Sequence, residues 1–258
     1  MIYIGIDISK DSFVAAYPTK SGYTTKTFNN DTKGVRQFIK SLPDESHCVM
    51  EATGNYSMLL LYLLQQAGIL VCMENPQKIK HFSRAMMSVT KTDEIDAKLI
   101  AIYGEKMNPA PYKIPSESIL LLKQKRTVLR QLKKHLAATI NLQQSLAVLP
   151  KQDTTSKVAV EQTIKFLHKQ ISKMEEEITN LSNKEFKRQM DLLTSIKGIG
   201  NTLASALIVA TGGFTYFTSA KQISRFLGIC PTYQQSGTSV NIKGHINRNG
   251  DTHLRCQL

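Results

Sequence analysis

Residues 2–18, IYIGIDISKDSFVAAYP, decide the fold. Two short runs rich in β-forming residues, IYIGID and SFVAAYP, flank the polar SKD. With YTTKTFN (23–29) they predict three strands in an antiparallel meander. Asp31 and Thr32 open a helix carrying Val35, Phe38, Ile39 and Leu42 on one face, and Pro43 stops it. HCVME (47–51) reads as a buried strand and YSMLLLYLLQQAG (56–68) as a helix closed by Gly68. ILVCMEN (69–75) reads as a strand ended by Pro76. Strands alternating with helices up to about Tyr103 predict an α/β layer.

From Ser116 to about Met190 the texture changes to long Lys- and Gln-rich helical stretches without Gly, broken near Pro150. In the second stretch Ile164, Leu167, Ile171, Met174, Ile178 and Leu181 alternate steps of three and four, the spacing of a coiled-coil seam. In the first, Leu129, Leu132, Leu136, Ile140 and Leu146 are less regular. Such helices form either arms that dimerise or carry a partner, or an antiparallel hairpin folded back on its own domain. Beyond them, Gly198 and Gly200 in TSIKGIGNTLASALIVATGG mark a turn between two apolar helices. A turn of this kind either packs two helices or presents main-chain N–H groups to a phosphate backbone. A basic, Gly-punctuated segment with Lys243, Arg248 and Arg255 follows.

The formal net charge of +13 over 258 residues favours a polyanionic partner, nucleic acid ahead of an anionic membrane surface. Cys48, Cys72, Cys230 and Cys256 are scattered without metal-ligand spacing, which argues against a zinc site and a disulfide framework and fits a reducing, cytoplasmic setting. No stretch approaches the roughly 20 apolar residues of a membrane span, and the Asp inside the first apolar run argues against reading it as an export signal, so a soluble, non-exported protein is expected.

Four acids stand out by position. Asp7 closes the first strand and Glu51 a later one, while Asp93 and Asp96 lie three apart at the start of a helix in KTDEIDAKLIAIYG (91–104) and so share a face. Strand ends and a facing helix can bring all four to one cleft. Gathered carboxylates repel unless a divalent cation sits between them, and oxygen-only ligation favours Mg²⁺ or Mn²⁺ over zinc. Taken singly, Asp7 is equally a turn cap, Glu51 an exposed strand end, and Asp93 an N-cap. Tyr56 is expected to begin the helix behind Glu51 and pack there.

YIGIDISKDSF (3–13), VMEATGNY (49–56), KTDEIDAKLIA (91–101), LGICPTYQQSGTS (227–239) and GDTHLR (250–255) together resemble the transposases of insertion-sequence family 110, relatives of the pilin-gene invertases. The resemblance covers nearly the whole chain. It implies an RNase H-like (RuvC-like) α/β domain with a mixed sheet over 1–112, a coiled-coil helical region over 113–190 and a mainly α C-terminal transposase domain over 191–258. The family continues further after its LR motif than this chain does, so that last domain is expected to be truncated, with activity in doubt. Carried over by position, Asp7, Glu51, Asp93 and Asp96 match the metal-binding tetrad and Ser236 the nucleophile of a covalent serine–DNA intermediate. The implied partners are donor and target DNA, a noncoding guide RNA and further copies of the chain, as a dimer or tetramer.

A serine hydroxyl needs a base, a metal or a cationic field to attack a phosphate. Ser236 lies in a basic segment, with Lys243, Arg248 and Arg255 as charge stabilisers and His245 and His253 as possible proton carriers. From the residues alone, Ser-Gly is equally a plain turn. Lys123, Lys125, Arg126, Arg130, Lys133 and Lys134 form a basic stripe that either contacts a nucleic-acid backbone or is a solvated helix face. Three other functions compete: a Holliday-junction-type nuclease using the acids alone, a nucleic-acid-binding remnant without activity, and an actin-like ATPase. The last lacks a second Asp-Gly phosphate loop.

Overall fold

The computed structural model describes residues 1–258 apart from 53, 88–90, 232–233, 237–239, 243, 245 and 247–249, and apart from the side chains of 234–236, 240–242 and 253. The chain forms two compact units, Met1–Ile114 and Pro115–Leu258.

In the first unit β1 (Ile2–Ile8), β2 (Ser12–Thr19) and β3 (Gly22–Asn29) make the antiparallel meander that the opening residues predict. Asp31 caps α1 (Thr32–Lys40) by accepting from the Gly34 N–H at 2.7 Å. The strand β4 (Ser46–Glu51) then runs parallel to β1. After a 3₁₀ turn (Gly54–Ser57) and α2 (Met58–Gln66), β5 (Leu70–Glu74) pairs parallel with β4. The sheet order is β3-β2-β1-β4-β5, a mixed α/β layer with β1–β3 antiparallel and β1, β4 and β5 parallel. Pro76 does more than end β5. It follows Asn75, whose side chain accepts from the Gln77 N–H, and it begins α3 (Pro76–Ala85). Proline at a helix's first position gives up no intrahelical bond.

Residues alternate between the two faces of the sheet. Ile4, Ile6, Ile8, Cys48 and Met50 pack with Val35, Phe38, Leu60, Leu61 and Leu64 in the main core. On the other face Tyr3 and Val49 meet Ile79 of α3 and Ile100 and Tyr103 of α4 (Asp93–Met107). Small residues bring α4 close: Val14 and Ala16 pack on Ala97 and Ala101. A Cβ on Gly5 would collide with the backbone of Ala97 and Ala101, and one on Gly104 would lie 2.8 Å from Tyr3 and Val49 atoms.

In the second unit the two long helices are α5 (Glu117–Ala147) and α6 (Thr154–Glu185). They form an antiparallel hairpin. Ser118 donates to Glu185 at 3.0 Å, Lys125 pairs with Glu177, and Lys133 pairs with Glu175 at 2.6 Å. Leu122 and Leu129 pack with Ile171 and Ile178 and with Met190 of α7 (Lys187–Thr194) and Ala204 and Ile208 of α8 (Asn201–Thr211). A further cluster joins Leu203 and Leu207 to Leu227 of α9 (Ala220–Leu227) and Leu254 of α10 (Thr252–Arg255). Between α9 and α10 a short antiparallel hairpin pairs β6 (Gln234–Ser236) with β7 (Val240–Ile242). No helix among the described residues is long and apolar enough to cross a membrane.

Candidate active site

Asp7 and Glu51 sit at the carboxyl-terminal ends of adjacent parallel strands, one step beyond the pairing of Ile6 with Met50. Asp7 shares its face with Tyr3 and Gly5, and Glu51 shares its own with Val49, so both belong to the face that α4 covers. At the head of α4 the N-cap is Thr92, whose hydroxyl accepts from the Ile95 N–H at 3.3 Å. Asp93 is thereby relieved of a capping role. It lies with Asp96 in the first turn, where the positive end of the helix dipole favours carboxylates.

The four acids interact electrostatically. Asp7 is half-buried, and its pKa is pushed up to about 6, first by burial and then by the charges of Asp96, Asp93 and Glu51, against a backbone hydrogen bond at Ile8. Burial and Asp96 also raise Glu51, and burial with Asp93 raises Asp96. Lys91 opposes the shift at both. Among the described residues no three His, Cys, Asp or Glu side chains already meet at the separation of ligands on one ion. The carboxylates lie at one end of the sheet, near enough to raise one another's pKa but not gathered as ligands of one ion. Their chemistry fits a hard divalent cation: the donors are all oxygen, and the burial and repulsion that raise three of them are relieved by positive charge placed among them. Asp7, Glu51, Asp93 and Asp96 are the residues that would hold it.

Ser236 ends β6, paired with Val240. It belongs to the second unit, whereas the carboxylates belong to the first. Its side chain lies outside the described residues, as do Lys243, His245, Arg248 and the side chain of His253. Arg255, on α10, donates to Thr252 Oγ1 at 3.3 Å. In the stripe on α5, Lys125 and Lys133 are ion-paired with α6. Arg126 donates to the Thr202 carbonyl at 2.8 Å and to Ser205 Oγ at 2.9 Å, and burial lowers its pKa. Lys123, Arg130 and Lys134 are exposed and have no acid paired with them among the described residues.

Three contributors to the site went unread in the sequence. Gly5 lets α4 reach the sheet, Lys91 offsets the carboxylate charge, and Asn30 ties the surrounding loops together. Gly5 within an apolar strand was a legible sign of close backbone approach. Tyr56, expected to pack behind Glu51, is exposed instead, because Ser57, Leu60, Leu61 and Leu64 supply the buried side of that segment.

A family model described as "Transposase" matches residues 4–151, and one described as "Transposase IS116/IS110/IS902 family" matches residues 190–258. The chain belongs to the IS110 family of transposases. As a transposase of this family it is a DNA recombinase. It is 30% identical, over 99% of its length and 80% of theirs, to the pilin gene-inverting proteins of Moraxella bovis and Moraxella lacunata. Among solved structures it is similar to T. thermophilus RuvC in complex with a Holliday junction substrate, with a TM-score of 0.32 and 12% identity. That match covers 43% of this transposase and 99% of the RuvC chain.

Proposed function

We propose that this transposase cleaves and rejoins DNA strands through a covalent Ser236 intermediate, using Mg²⁺ or Mn²⁺ held by Asp7, Glu51, Asp93 and Asp96. The observation that carries the reading is the mutual electrostatic coupling of the four acids at one end of the sheet. When bound, the ion supplies charge stabilisation at the reacting phosphate. The carboxylates orient the scissile phosphate, and Lys91 tempers their charge so that a polyanion can approach. The Ser236 oxygen attacks phosphorus, a P–O bond to a DNA oxygen breaks, and that oxygen leaves with a proton. A phosphoserine ester remains. The hydroxyl of a second strand then attacks that ester, restoring the serine and joining the new strand.

Division into a metal-binding domain (1–112), a helical region (113–190) and a serine-bearing domain (191–258) is part of the same proposal. So is a composite site in which one copy's carboxylates serve another copy's serine within a dimer or tetramer. A noncoding guide RNA that pairs with donor and target DNA completes it, and the net charge of +13 with the exposed Lys123, Arg130 and Lys134 supports a nucleic-acid partner. Arg255, Lys243 and Arg248 are proposed to steady the phosphate at the serine. Four free cysteines fit action in the reducing cytoplasm.

The test is to trap protein on an end-labelled DNA junction under Mg²⁺ and resolve the adduct by denaturing electrophoresis. The wild type is expected to carry label, and Ser236→Ala none. An adduct that survives Ser236→Ala refutes the nucleophile. Cleavage that persists in Ser236→Ala but not in Asp7→Ala means that water, directed by the acids alone, is the attacking group.

A further inference from the structure

The sheet face that carries the carboxylates is shared by a second helix, α3, whose outer side is basic. Ile79 of α3 packs with Tyr3 and Val49 of the sheet and with Ile100 and Tyr103 of α4, and the Phe82 ring meets Tyr103 edge-on at 5.3 Å. The helix starts at the sheet edge where Asp7 and Glu51 stand. Glu51 and Glu74 are paired partners across β4 and β5, and the Ala52 N–H donates to the Glu74 carbonyl at 3.0 Å. Asn75 follows at once as the cap of α3. With neighbouring strands about 5 Å apart and about 3.8 Å per residue of chain, the Gln77 Cα lies no more than about 16 Å from the Glu51 Cα.

On the side of α3 away from Ile79, Gln77, Lys80, His81 and Arg84 are all exposed, and their steps of three and four make one stripe. At 1.5 Å per residue it is about 10 Å long. Lys78 stands off the stripe and pairs with Glu74 at 2.8 Å, whereas no acid pairs with Lys80 or Arg84 among the described residues. From Asn75 to Thr92 the sequence holds no Asp or Glu, against Lys78, Lys80, Arg84 and Lys91. Lys91 acts on Glu51 and Asp96 themselves. A helix face that serves solubility alone mixes both signs of charge, and this one carries cations only.

We propose that the stripe from Gln77 to Arg84 holds the phosphodiester backbone of the DNA strand that reaches the carboxylates, with Lys80 and Arg84 on neighbouring phosphates. This rests on the carboxylates being the cleavage site. At a rise of roughly 3.4 Å per nucleotide, the near end of the stripe is within about five nucleotides of a phosphate held at Glu51. Contacts of this kind fix the register and direction of a strand and read no base. Duplex RNA is the competing occupant, but a stripe on the face of the acids, starting at their edge of the sheet, favours the strand that is cut.

The test is binding of the full chain to a fluorescein-labelled four-way DNA junction in EDTA, followed by anisotropy across a range of salt. Lys80→Gln with Arg84→Gln removes two phosphate contacts. Its log K against log[salt] slope should be shallower by about 1.8, so its deficit in affinity should shrink about 12-fold between 50 and 200 mM salt. Lys80→Arg with Arg84→Lys should bind as wild type does. The matched control is Lys33→Gln with Arg36→Gln, which removes two exposed cations from α1 on the opposite face of the sheet and should leave the slope unchanged. An equal loss in the control, or an unchanged slope in the α3 variant, would overturn the proposal. So would a loss seen only when duplex RNA replaces the junction. Cleavage under Mg²⁺ separates the two ideas. If Asp7→Asn still cleaves while the α3 variant binds weakly, the carboxylate reading fails and the stripe stands as a DNA contact. If Asp7→Asn does not cleave while the α3 variant binds as wild type does, the stripe fails and the acids stand.

Discussion

Replacing Asp7 by Asn removes a charge that the free protein holds at a cost. Its carboxyl is pushed up from the usual 3.8 to about 6 by burial and by Asp96, Asp93 and Glu51. A raised carboxyl pKa means that the folded state binds the proton more tightly than the unfolded chain. Stability is therefore greatest below about pH 4, falls as pH rises toward 6 and stays low above it. Fully sealed from water, a gap from 3.8 to about 6 would correspond to about 3 kcal/mol. Asp7 is only half-buried, so solvent screening reduces this to about 1–2 kcal/mol. In metal-free buffer, Asp7→Asn should melt about 2–8 °C above wild type at pH 8 and level with it near pH 4, taking roughly 2–4 °C per kcal/mol. Mg²⁺ should raise the wild-type melting temperature and leave the variant nearly unmoved. Thermal melts followed by circular dichroism across pH, with EDTA or Mg²⁺, read all of this. A variant no more stable than wild type at pH 8, or stabilised equally at pH 4, would refute the reasoning.

Gly5→Ala drives a methyl group into the backbone of α4 and should destabilise the protein by about 3 kcal/mol or more, visible as a lowered denaturation midpoint. Arg126→Ala removes the two hydrogen bonds by which a cation on α5 holds the Thr202 carbonyl and Ser205 Oγ of α8, leaving those two bonded only to each other, and urea unfolding should show a loss of about 1.5–3 kcal/mol. Replacing Lys123, Arg130 and Lys134 together by Gln should leave the melting temperature within about 2 °C, since no acid pairs with them among the described residues. Nucleic-acid binding by that variant should show a log K against log[salt] slope shallower by about 2–3.

The acids were legible because secondary-structure periods placed them. A strand end, a second strand end and two positions three apart on a helix converge whenever the sheet is parallel there, as β1 and β4 are. Their cap was less legible: Thr92 and Asp93 are both good N-cap residues, and only backbone geometry shows that Thr92 takes the role. The helix α3 escaped because Asn75-Pro76 ends a strand as readily as it caps and starts a helix. The basic stripe on α5 shows a different limit. Lysines spaced along a helix look alike until the partner is known, and Glu175 and Glu177, which take Lys133 and Lys125, lie far along the chain in a hairpin whose folding back was only one of two readings. Asn30 carries no signal in the sequence, since its partners at Ser9 and Tyr56 come from opposite sides of it along the chain.

Whether Asp7, Glu51, Asp93 and Asp96 make one divalent-cation site, as proposed above, is read most directly by Mn²⁺ titration followed by electron paramagnetic resonance, which needs no knowledge of the DNA target. Saturable binding to the wild-type chain, competed by Mg²⁺ and lost in Asp7→Asn and in Glu51→Gln, is the expected result. Equal Mn²⁺ binding by wild type and both variants would contradict it.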